Sequence, residues 1–269
     1  MSFRRRKRAK LVEIKWRIKT DSGIMNKTII REDRTLENTT NVIMQRMFSS
    51  LETNYRTAIS ENEEVYMQVI MYLNFVEKFC ALVEDEQIVL VMEEVCHDLI
   101  SSVYMASNGM YRNAYICLRS AIELALAVLY FLDHNFDFLL WKQNKYDVKW
   151  SVLNNRELGV LSNKYFNLFC ETEADFTDFI ERVENIYHNC SEYVHGKFSF
   201  MQTNFMNTAI KYEPSVFKAW SEDWVEEVKV ITLLFAVRLC KRVDALDGET
   251  KKQLLEDAKD FELRGVFND

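Results

Sequence analysis

From Ala114 to Leu132 the chain is apolar on almost every side of a helix, interrupted by Ser120 and by two charges, Arg119 and Glu123. A helix of that kind is either buried inside a larger protein or crosses a membrane. Two opposite charges near its middle are expensive in hydrocarbon, and the uncharged run falls short of the ~18–20 residues that a span needs. Residues 109–132 are therefore read as a central core helix with its lead-in, and the rest of the chain as packed around it. Arg119 and Glu123 are four apart and share one helix face. Buried charges persist only when paired or hydrogen-bonded, so the two form either a structural ion pair or part of a polar site set into a helical core.

Six glycines and one proline in 269 residues leave few turn-formers, so long helices joined by few turns are expected. The expected fold is mainly α: an antiparallel helical bundle of long helices with an N-terminal β-hairpin, divided as a basic arm and hairpin over 1–34 and a helical domain over 35–269. The six cysteines, at 80, 96, 117, 170, 190 and 240, include no Cys-x-x-Cys pair, so a zinc site has no support. They read as buried thiols in a reducing compartment. The first 20 residues lack an apolar signal core, and a cytoplasmic location is expected.

Charge is unevenly placed. Residues 1–19 carry +8, leaving −15 on the other 250. The basic arm, with Arg4, Arg5, Arg6, Lys7, Arg8 and Lys10 at its start, is suited to RNA phosphates, an anionic surface or the acidic face of a partner. Val12, Ile14, Trp16 and Ile18 alternate with Glu13, Lys15, Arg17 and Lys19, the period of a half-buried strand. Asp21-Ser22-Gly23 is a turn signal, and 24–31 can return as the second strand.

After Arg34 the pattern turns helical. Helices are expected over 36–59, from about 61–64 to Cys80, and from 84–86 to Val103. Asn108-Gly109 closes the last of these and makes it the antiparallel partner of the core helix. Residues 133–155 read as a wetter link anchored by Phe136, Phe138, Trp141 and Trp150. Further helices follow near 157–169, from Glu173 to about Val194, from Ser215 to about Val243, and over 249–262, with an irregular stretch over 196–214 closed by Pro214.

No phosphate-cradling glycine loop, His-Glu-x-x-His or nucleophile elbow is present, which argues against ATPases, zinc hydrolases and serine hydrolases. Two of the four histidines, His188 and His195, lie seven apart at the end of one helix. They share a face two turns apart, roughly 10 Å along the axis, and cannot share one metal ion without a bend. Glu184 and Ser191 lie on the same edge, beside an apolar stripe of Phe176, Ile180, Val183, Tyr187, Cys190 and Val194. A histidine there either serves as a general acid or base or hydrogen-bonds a neighbouring helix while Gly196 lets the chain turn.

The run Gly109-x-Tyr111-x-x-Ala114-x-x-x-Leu118-Arg119-Ser120-x-x-Glu123, followed by a helix ending Tyr193-Val194-His195-Gly196, resembles the HEPN superfamily (higher eukaryotes and prokaryotes nucleotide-binding) over roughly 60–245. More narrowly it resembles helical proteins of prokaryotic defence and toxin loci. The resemblance implies an up-and-down helical bundle, usually dimeric, and in many members a metal-independent ribonuclease whose site forms across the dimer. His195 matches the motif histidine and Asn189 the motif polar residue. His188 stands where the motif has arginine, and Arg119 is the alternative cation. The residues expected to carry chemistry are thus His195, His188, Arg119, Glu123 and Asn189, with no cofactor or metal. The expected function is an RNA-targeting endoribonuclease, whose partners are RNA or a nucleotide, a second copy, and a partner protein of the same defence system, without a membrane. Its rivals are a catalytically inactive HEPN-like binding module and a structural homo-oligomer built through the hairpin.

Overall fold

The computed structural model describes residues 14–20, 23–29, 33–201, 210–263 and 267. The protein is mainly helical. It divides into two compact units, 1–53 and 54–269. Within the first unit the backbone over Ile14–Thr20 and Gly23–Ile29 is extended. The side chains of the expected hairpin, and all six cations at the start of the basic arm, lie outside the described residues. A long helix, α1 (Asp33–Glu61), begins in this unit and ends in the second.

The second unit holds the core. Its helices are α2 (Glu63–Cys80), α3 (Glu86–Ser107), α4 (Tyr111–Asp133), α5 (Asn135–Lys142), α6 (Trp150–Leu153), α7 (Asn163–Cys170), α8 (Thr177–Val194), α9 (Pro214–Arg238) and α10 (Gly248–Asp260). Short 3₁₀ turns occupy Phe198–Phe200 and Cys240–Ala245. Four differences from the sequence expectations have plain causes. Pro214 opens α9 instead of closing a loop, its fixed φ suiting the first helical turn, where no backbone donor is needed. The link after α4 is itself partly helical, because Phe138 turns inward and Phe131 and Trp141 pack against it. The helix expected from Glu173 starts four residues later, after the Asp175–Thr177 hydrogen bonds. Val194, expected in the apolar stripe of α8, is 38% exposed at the fraying end of the helix.

α4 is the axis of the unit. Ala114, Leu118, Ala121, Ile122, Ala125, Leu126, Val128 and Leu129 are wholly buried on it. α3, α8 and α9 pack around it, and the alanines let them approach closely. By length and composition α4 is the one described helix able to cross a membrane, yet 61% of its most apolar stretch is covered by the protein itself. α9 is buried nearly all round from Val230 to Val237, and its two indoles are satisfied on α3: Trp220 Nε1 donates to Ser102 Oγ (3.0 Å) and Trp224 Nε1 to the Leu99 carbonyl (3.2 Å).

The α3–α4 turn depends on Gly109. Its φ of +78° lies in the left-handed region, and a Cβ there would come within 2.3 Å of the Lys211 carbonyl oxygen. Gly109→Ala must displace backbone just ahead of α9. We expect a loss of roughly 1–3 kcal/mol, read as a lower thermal midpoint; an unchanged midpoint would mean that the 210–213 segment moves freely.

Candidate functional site

Three residues of α4, spaced i, i+3 and i+7, project one face onto α8. Arg119 meets α8 in its middle. Its Nε donates to Ser191 Oγ at 2.7 Å, Nη2 donates to the Tyr187 hydroxyl, and Cζ lies 3.6 Å from the Tyr187 ring centroid. Nη1 faces the Glu123 carboxylate as an ion pair without hydrogen-bond alignment. Tyr115 stacks on Tyr193 at 3.8 Å and donates to Asp223 Oδ2 at 2.6 Å. Arg112 meets the end of α8: Nε donates to the Tyr193 carbonyl (3.1 Å) and Nη2 to the Val194 carbonyl (3.3 Å). Stepping back along α4 from Arg119 to Arg112 moves forward along α8 from 187–191 to 193–194, so the two helices run antiparallel.

α9 supplies acids from beneath. Asp223 accepts from Tyr115 and from Asn189 Nδ2 (3.3 Å). Glu227 is fully buried, and Cys190 Sγ donates to its Oε2 at 3.6 Å. Its Oε1 has no hydrogen-bond partner among the described residues. Burial pushes the Glu227 carboxyl well up, with Asp223 and Asp98 adding repulsion and Cys190 and Arg119 opposing it. Burial likewise raises Asp223, Asp98, Cys190 and the Tyr187 hydroxyl. The interior of the site thus disfavours ionised carboxylates and sets one guanidinium beside them.

The expected site residues separate into two groups. Arg119, Glu123 and Asn189 belong to the packed network between α4, α8 and α9. Arg119 is only 16% exposed, hydrogen-bonded to Ser191 and Tyr187 and ion-paired with Glu123. Ser191, expected on the polar edge with the histidines, turns inward and donates to the Tyr187 carbonyl. His188 and His195 are exposed. His188 sits edge-on to Trp150, 6.2 Å between centroids. His195 is the residue at which α8 ends, its N–H bonded to the Ser191 carbonyl (2.9 Å).

Sequence reasoning passed over Arg112, Asp223 and Glu227, and read Trp150 only as an aromatic anchor of the link. For Arg112 a signal was present: it precedes Arg119 by seven residues, the same two-turn step that separates His188 from His195. It is the arginine that the fold brings to the motif-histidine end. A Cβ on Gly196, whose φ is +61°, would lie 3.2 Å from Arg112 Nη2. No carboxylate is bonded to Arg112 among the described residues, and its side chain is exposed.

One group on α3 has the composition of a metal site. Ligand atoms of Glu94, His97 and Asp98 lie within 4.8 Å of one another. The side chains of Glu94 and His97 are 61% and 70% exposed, and Asp98 is hydrogen-bonded to Ser120 of α4.

Comparisons of the chain with protein-family models, with curated proteins and with solved structures gave no match.

Proposed function

We propose that this chain is a HEPN-like RNA-targeting protein of a prokaryotic defence or toxin system, acting as a metal-independent endoribonuclease. The observation that carries the reading is Arg112, a permanent cation bonded among the described residues to two carbonyls at the end of α8, next to which His195 is exposed. Guanidinium is suited to the charge that builds on a phosphorane. Histidine titrates near neutrality and can take the proton of a ribose 2′-OH. The alkoxide then attacks phosphorus, the 5′ oxygen leaves with a proton from a second group, and a cyclic phosphate remains.

His188 is the second group. Within one chain it stands about 10 Å along α8 from His195, too far to flank one phosphorus. An antiparallel second copy of α8 sets the His188 position of one chain opposite the His195 position of the other, so a dimer completes the pair. Arg119, Glu123 and Asn189 act here as positioning residues that fix α8 from beneath. Residues 1–34, read as a basic arm and β-hairpin, would hold the RNA backbone or the second copy.

The test is cleavage of a mixed RNA pool by the purified protein in EDTA. Wild type should cut and leave cyclic-phosphate ends. His195→Ala should lose at least ~100-fold of that rate with an unchanged fold, and Arg112→Ala a comparable amount; full activity in a folded His195→Ala variant rejects the reading. A second reading, an inactive HEPN-like binding module, draws on the commitment of Arg119 to Glu123, Tyr187 and Ser191. Retained RNA binding without turnover in the wild type would favour it.

A further inference from the structure

The ring of Tyr187 carries two neighbours at van der Waals distance. Arg119 Cζ lies 3.6 Å from its centroid, and the Trp150 ring lies 3.4 Å away with the planes 8° apart. Two groups that close to one centroid cannot share a face. The order is therefore Arg119, Tyr187, Trp150, built outward from the core. Arg119 is held at the bottom by Ser191 and Glu123. Trp150 is the outermost layer and partly exposed, and among the described residues no ring covers its far side.

Around that outer layer the chemistry changes from apolar to basic. His188, exposed, presents its ring edge-on to Trp150. Lys149, next in the chain, is exposed. Arg156 is about half exposed and bridged at 2.7 Å to Glu184, which also accepts from Asn154 and leaves the outer side of the guanidinium open to a second anion. A rigid flat indole, two flanking cations and an imidazole able to bond a base edge or a ribose hydroxyl are what single-stranded RNA recognition uses. A duplex cannot use the indole, because its bases are already stacked on each other.

We propose that Trp150 is a stacking platform for an unpaired nucleobase of single-stranded RNA, with Lys149 and Arg156 on the adjoining phosphates. This rests on the RNA-targeting reading above and specifies its substrate as unpaired RNA entering beside His188. The platform is pre-built: Tyr187 and Arg119 immobilise the indole before the ligand arrives, so binding does not have to order it.

The test is fluorescence polarisation with short dye-labelled 2′-O-methyl RNA, which has no free 2′-OH and cannot be cut through one. Wild type should bind the intact single strand about 5- to 100-fold tighter than the same strand carrying abasic sites, the range for stacking of one base on an aromatic ring. Trp150→Ala should remove that preference, and Trp150→Phe should restore most of it. Affinity for the abasic strand and for a duplex should be unchanged by either variant. His195→Ala should keep the preference for the intact over the abasic strand whatever its overall affinity, so that loss of cleavage and loss of stacking are read separately. Equal binding of intact and abasic strands by wild type would overturn the proposal without recourse to any variant. Binding of dye-labelled adenosine monophosphate together with no affinity for the strand would also overturn it, assigning the platform to a free nucleotide.

Discussion

Replacing Arg119 with alanine is expected to destabilise the protein by about 3–5 kcal/mol, the usual result of removing one partner from a buried charged network. The value comes from what is left behind. Ser191 and Tyr187 lose their donor, and Tyr187 loses the layer beneath its ring. Glu123 contributes less to the loss, because at 46% side-chain exposure water can replace the arginine there. Arg119→Lys should recover only a fraction, since a point charge cannot both stack on a ring and donate from a fork. Urea unfolding of the three proteins decides this. A loss below ~1 kcal/mol for Arg119→Ala would mean that water reaches the network, and Arg119 would then be available to a ligand after all. A large loss fits a positioning role, and places the cation for phosphate at Arg112.

The contrast between those two arginines shows what the sequence discloses and what it hides. The helical class followed from how few residues can make turns, and α4 from its continuous apolar run. Arg119 and Glu123 drew notice because charges inside such a run must be answered locally. Arg112 sits three residues before Tyr115, outside that run, and only its seven-residue spacing from Arg119 marks it. Its role comes from α8 crossing α4 antiparallel, a long-range arrangement that no window of sequence contains. Trp150 was legible only as an aromatic anchor, since its partner Tyr187 lies 37 residues away in a different helix. Asp223 and Glu227 look like the solvated acids of an amphipathic helix. Glu227 is fully buried and Asp223 partly so, because that side of α9 faces α4 and α8, and the usual inference from charge to surface fails there.

Glu227 gives the protein a pH dependence opposite to that of most carboxylates. Burial holds its folded pKa well above the unfolded value of about 4.3. Below the unfolded value both states are protonated and the group leaves stability unchanged with pH. Above it the unfolded chain releases the proton while the folded chain keeps it, so stability falls as pH rises toward the folded pKa. The slope for one such group is up to about 1.4 kcal/mol per pH unit. Asp223, Asp98 and Asp257, all raised by burial, act in the same sense. Urea unfolding of wild type between about pH 5 and about pH 8 should therefore show a decline in stability with rising pH. Glu227→Gln keeps the shape and removes one titration. It should overtake wild type toward the alkaline end, the gap widening by about 1 kcal/mol per pH unit. Parallel curves for the two proteins would mean that Glu227 is ionised in the fold, compensated by Arg119 alone. Arg119 would then be the obligatory counter-ion of a buried carboxylate, and Arg119→Ala should become less damaging as the pH is lowered. If the curves diverge as expected, Glu227 is a neutral acid in the fold, and the Arg119 guanidinium answers Glu123 instead.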